Sequence, residues 1–90
     1  MGESRARVMA HKLCLSPLLA TLAACAAFAL AGEPDNVPRF CREVARVSGL
    51  SSVAVRYWLA RLWGEGLVEL AGTRPTAAGW AEIGGGRVAA

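Results

Sequence analysis

The alternation of apolar and polar positions divides the chain into helical stretches broken by Gly-, Pro- and Ser-bearing turns. Leu15, Leu18, Leu19, Leu22, Ala26 and Leu30 recur at helical spacing, and alanine fills most of the positions between them. Ser16-Pro17-Leu18 is the chemistry of a helix start, a hydroxyl cap followed by proline at the first helical position. Gly32 supplies the stop. The pattern thus predicts a buried helix of about fifteen residues, followed by a loop from Glu33 to Pro38. A second helix is predicted from near Arg39, with Phe40, Val44 and Val47 on its apolar face and Arg39, Arg42, Glu43 and Arg46 on the rest. Ser48-Gly49-Leu50-Ser51 breaks it. Gly49 can take the positive φ of a tight turn, and Ser51 is the natural cap of a third helix from Ser52 to Trp63.

That third helix gathers Val55, Leu59 and Leu62 within an arc of about 60°, with Trp58 on its flank. Its opposite arc carries Ser52, Val53, Arg56, Tyr57 and Ala60, a mixture of hydrogen-bonding, cationic, aromatic and small groups. Gly64-Glu65-Gly66 ends it, and Leu67-Val68-Glu69-Leu70 then alternates as a strand would. Trp80 and Ile83 mark a short last helix that either closes the core or pairs with a second subunit. Trp63, at the edge of the core stripe, either covers the first helix or joins such a contact. The expected organisation is a basic, flexible leader over residues 1–15, one domain over 16–83 and a flexible tail over 84–90.

Leu13 to Ala31 admits another reading. It carries no charge, follows Arg5, Arg7 and Lys12, and ends in Ala29-Leu30-Ala31, as a secretory signal peptide does. Leu22-Ala23-Ala24-Cys25 also resembles a lipid-attachment site. Against export, removal of residues 1–31 would strip the three-helix pattern of its first member. The favoured reading is a retained core helix, with a secreted or lipid-anchored small protein as the alternative.

Ninety residues leave room for one small domain. The net charge of +3 is mild, but its distribution is informative: between Arg39 and Trp63 five arginines (Arg39, Arg42, Arg46, Arg56, Arg61) face one acid, Glu43. Cys14, Cys25 and Cys41 lack the spacing of a metal or redox site and read as buried, reduced thiols. His11 is the only histidine, and Gly84-Gly85-Gly86 follows no strand and opens no helix, so no phosphate-binding loop is formed. No catalytic residue, metal site or cofactor is expected, and the chain does not read as an enzyme.

Ala45, Gly49, Leu50, Val55 and Trp58 occupy the spacing of a helix-turn-helix. The longer string of Gly49-Leu50-Ser51, Val55, Leu59, Leu62 and Gly66-Leu67-Val68 resembles the winged-helix transcription regulators of bacteria. Thr76-Ala77-Ala78-Gly79 is similar to the motif that opens the last helix in the MarR and PadR groups, and Pro38 through Leu62 resembles the DNA-binding domain of LexA-type repressors. The resemblance implies a mainly α fold with a small β-hairpin: a winged helix-turn-helix with a three-helix core, a short wing and a short C-terminal helix. Only five residues separate Leu70 from Thr76, and Pro75 cannot donate to a ladder, which makes a long wing unexpected.

The resemblance further implies a cytoplasmic transcription regulator that binds double-stranded DNA as a homodimer, with the third helix in the major groove. Arg56 would read a base, with Ser52, Val53 and Tyr57 beside it. Tyr57 reads equally as a half-buried aromatic at a helix seam. Arg39, Arg42, Arg46, Ser51, Arg61 and Arg74 would hold the backbone. A winged-helix module binding a protein through Val53 and Tyr57 is the alternative.

Overall fold

The computed structural model describes residues 16–84. The proposed leader and almost all of the proposed tail, with His11, Cys14 and Leu15, lie outside the described residues. Four helices follow in order: α1 (Pro17–Leu30), α2 (Val37–Ser48), α3 (Ser52–Gly64) and α4 (Ala77–Gly84). None of the described helices is long and apolar enough to cross a membrane.

Each of the first three helices starts on a side-chain cap that relieves one unbonded N–H of its first turn. Ser16 Oγ accepts from Leu19 N at 3.3 Å, Asn36 Oδ1 from Arg39 N at 2.9 Å, and Ser51 Oγ from Ala54 N at 3.1 Å. The Asn36 cap moves the start of α2 two residues ahead of the predicted Arg39. Val37 and Pro38 belong to its first turn, where proline's missing N–H costs nothing. Gly49 takes φ +83° and donates to Ala45 O, so α2 stops and α3 begins across only Gly49, Leu50 and Ser51.

The third helix is the hub, packing against both α1 and α2, while α4 lies on α1. Val55, Leu59 and Leu62 are fully buried, and they meet Leu22 and Cys25 of α1 and Phe40, Cys41 and Val44 of α2. Phe28 and Phe40 lock α1 to α2 edge to face, with ring centroids 5.0 Å apart. Two expected core residues are exposed. Leu30 is 78% exposed, because it sits about 80° around the helix from Leu22 at 100° per residue and the chain turns away just after it. Val47 is on the correct side of α2 but in its last turn, 72% exposed and facing an open apolar groove shared with Ala24, Phe28 and Leu50.

The predicted β-hairpin does not form, which corrects the winged fold to an all-helical one. Among the described residues there is no strand, only a single antiparallel bridge between Val68 and Pro75. Two bonds flank that bridge, Glu69 N to Arg74 O and Thr76 N to Leu67 O. The chain then reverses at once through Gly72 N to Glu69 O, with Ala71 at φ +62°. Glu69 O is the acceptor that Arg74 N–H would need to extend the ladder, and Gly72 N occupies it. Thr73 leaves the ladder altogether, giving its N–H at 2.7 Å and its hydroxyl at 2.9 Å to Asp35 Oδ1 in the α1–α2 loop. The 65–76 segment is therefore a compact loop fastened to the domain, with no arm projecting from it.

Cys25 is fully buried, and burial, with Cys41 and Asp35 nearby, pushes its thiol up from 9.0 to about 12. Below pH 9 the thiol is neutral in both states. Above it the unfolded chain ionises while the folded chain does not, so stability is lost as pH rises from about 9 to about 12. The unfolding midpoint is expected to fall across that window, and Cys25→Ala to flatten the dependence. An equally steep decline in the variant would assign the effect to another group.

Candidate nucleic-acid interface

The exposed arc of α3 carries Ser52, Val53, Arg56 and Tyr57 because the buried arc is fully occupied by Val55, Leu59 and Leu62. Val53 is 78% exposed and Tyr57 53% exposed. The Tyr57 ring stands edge-on to Trp58 at 4.9 Å, so its hydroxyl end faces outward with one flank supported. Tyr57 is supported by Trp58 of its own helix and not by a helix seam, and its hydroxyl accepts from Arg61 Nη1 at 3.5 Å.

The arginines divide into two groups. Arg39 pairs with Glu33 at 3.1 Å, Arg46 with Glu43 at 2.7 Å and Arg61 with Glu65 at 3.4 Å. Hydrogen bonding to Arg46 holds the Glu43 carboxyl below its ordinary value, and the same bond raises Arg46. Arg61 is raised chiefly by its bond to the Tyr57 hydroxyl and then by Glu65. Among the described residues no carboxylate lies within ion-pair distance of Arg42, Arg56 or Arg74. Arg74 sits apart, in the 65–76 loop, with its carbonyl accepting from Glu69. The hydroxyl of Ser51 is engaged in capping α3.

Arg42 and Arg56 share one surface. They line an open groove of about 490 Å³ between the starts of α2 and α3, together with Val37, Pro38, Cys41, Ser52 and Val53. Burial raises the Cys41 thiol, and the charge of Arg56 opposes that rise. The guanidinium also lies 4.6 Å from the centroid of the Trp63 ring. A cation over an indole ring is held by the negative face of the ring.

Trp63 is in turn held from behind. Its Nε1–H donates to Gly72 O at 2.9 Å, and Gly72 adjoins Thr73, which Asp35 grips. Asp35, Thr73 and Trp63 thus form a chain of contacts that ends at Arg56. Sequence reasoning left the role of Trp63 open and missed Asp35 and Thr73, since a pair 38 positions apart leaves no local pattern. The part of the groove wall formed by Val37 and Pro38 was also missed, because both belong to the first turn of α2 and not to the loop before it.

Thr76-Ala77-Ala78-Gly79 has a purely structural explanation. Thr76 Oγ1 accepts from Gly79 N at 3.1 Å and donates to Gly66 O at 2.6 Å, capping α4 and tying it to the loop. Trp80 is 40% exposed, while Ile83 packs against the core. Among the described residues no group of three or more His, Cys, Asp or Glu is placed to hold a metal. No protein-family model, curated protein or solved structure matches the chain.

Proposed function

We propose that this protein is a sequence-specific double-stranded DNA-binding transcription regulator acting in the cytoplasm as a homodimer, with α3 entering the major groove. The observation that carries the reading is the pairing pattern of the arginines. Three have a carboxylate partner, whereas Arg42 of α2 and Arg56, on the exposed side of α3, line one groove and have none among the described residues. Arg56, held against the Trp63 ring, offers N–H groups to guanine O6 and N7. Ser52 and Tyr57 reach base edges or the sugar-phosphate chain, and Val53 suits a thymine methyl. Arg42 holds a phosphate, with Arg39, Arg46, Arg61 and Arg74 contributing less specific charge. A single α3 offers few base contacts, and two-fold pairing doubles them. The seat of Leu22 and Cys25 in the core supports retention of α1 as part of the working protein.

Selection of bound duplexes from a random pool tests the reading directly. Arg56→Ala is expected to lose about 1 to 3 kcal/mol of preference for the selected site, leaving binding to unrelated duplexes nearly unchanged. Arg42→Ala is expected to weaken binding to all duplexes alike and to reduce the salt slope by about one. A protein with no salt-dependent affinity for any duplex would refute the proposal.

A further inference from the structure

The groove between α2 and α3 has more to it than a DNA surface requires. At about 490 Å³ it is as large as many small-molecule sites. A backbone phosphate passing α3 would use only the cations, Arg42 and Arg56. Yet the same groove is lined by Val37, Pro38, Cys41 and Val53, an apolar wall that no phosphate would contact favourably. Contact with the Trp63 ring restrains the Arg56 guanidinium, and a restrained guanidinium loses less freedom on binding a carboxylate through two parallel N–H bonds. No carboxylate among the described residues pairs with either arginine.

We infer that this groove binds a small amphipathic carboxylate, its apolar body against Val37, Pro38, Cys41 and Val53 and its carboxylate shared between Arg42 and Arg56. A second consequence rests on the DNA-binding reading. Arg56 serves both ligands, so an occupied groove withdraws it from the duplex, and carboxylate and duplex weaken each other by the same factor.

The test is an amide NMR titration of the full chain without DNA, using 4-phenylbutyrate, 4-phenylbutanol and inorganic phosphate. The carboxylate is expected to give saturable shifts at Val37, Cys41 and Val53, with the alcohol and phosphate each binding at least about tenfold more weakly. An R42Q/R56Q double variant should lose about tenfold or more in affinity for 4-phenylbutyrate, while R46Q, whose charge is already paired with Glu43, should stay within about twofold of the wild type. Equal binding of the alcohol would reduce the groove to an apolar patch, and equal binding of phosphate to a cationic one. Either result, or the absence of saturable shifts, overturns the inference. Adding a selected duplex then separates the two proposals. Failure to bind any duplex defeats the DNA reading and leaves the titration result standing. Simultaneous binding without mutual weakening defeats the competition alone.

Discussion

Gly79→Ala is expected to destabilise the fold by about 3 kcal/mol or more, since of the described glycines it has the least room for a Cβ. A Cβ at Gly79 would overlap the carbonyl oxygen of Leu67, and it would sit 3.0 Å from that carbonyl carbon and 3.2 Å from Pro75 Cβ. The obstacle is main chain, which cannot swing aside as a side-chain tip can. Relief therefore requires α4 to lift from the 65–76 loop. That would break the Thr76 links to Gly66 O and Gly79 N and draw Ile83 off the core. Gly64→Ala is the matched control. Nothing lies within 4 Å of a Cβ there, and its backbone is helical, so the change is expected to be neutral or to stabilise by up to about 1 kcal/mol. Denaturant unfolding of both variants checks the pair. Similar midpoints would mean that α4 does not press on Leu67 in solution.

Asp35→Ala is expected to cost about 2 to 3 kcal/mol and to loosen Arg56 at the same time. The carboxylate accepts from both donors of Thr73, a residue only 2% exposed, and its removal leaves a buried N–H and a buried hydroxyl without that partner. Hydrogen bonds to a charged acceptor are individually stronger than neutral ones, and two converge on one oxygen here. Asp35→Asn keeps an acceptor in place and should lose roughly half as much. The functional consequence follows from the chain of contacts. Without its anchor at Thr73, Gly72 no longer holds the Trp63 indole, and the Trp63 ring no longer fixes Arg56. Discrimination between selected and unrelated duplexes should therefore fall more than binding to unrelated duplexes. An unfolding free energy within about 0.5 kcal/mol of wild type would show that the Asp35 contact is not formed in solution.

The two variants probe different sources of order. Gly79 belongs to a four-residue motif visible in the sequence, and its physical reason, a helix start pressed onto a carbonyl, can be stated only once Leu67 is seen beside it. Asp35 had been read as one more polar loop residue. Its short side chain gave no sign of the role, because its partner lies 38 positions away.

Helix starts at Ser16 and Ser51, the turn at Gly49 and the buried stripe of Val55, Leu59 and Leu62 were all legible in the amino-acid sequence. Each depends on groups within about one or two helical turns of one another. The exposed arc of α3, with Ser52, Val53, Arg56 and Tyr57, follows from that stripe as its complement. Tertiary structure alone decided the rest. It turned Leu67 to Pro75 into a fastened loop, because Gly72 N takes Glu69 O, the acceptor that Arg74 N–H would need to continue the ladder, while Asp35 holds Thr73. It exposed Leu30 and Val47, whose spacing suited burial but whose positions lie at helix ends beyond the core. It also separated the paired arginines from Arg42 and Arg56 and set those two along one groove, since ion pairing and a shared surface depend on distances in space that spacing along the chain does not set.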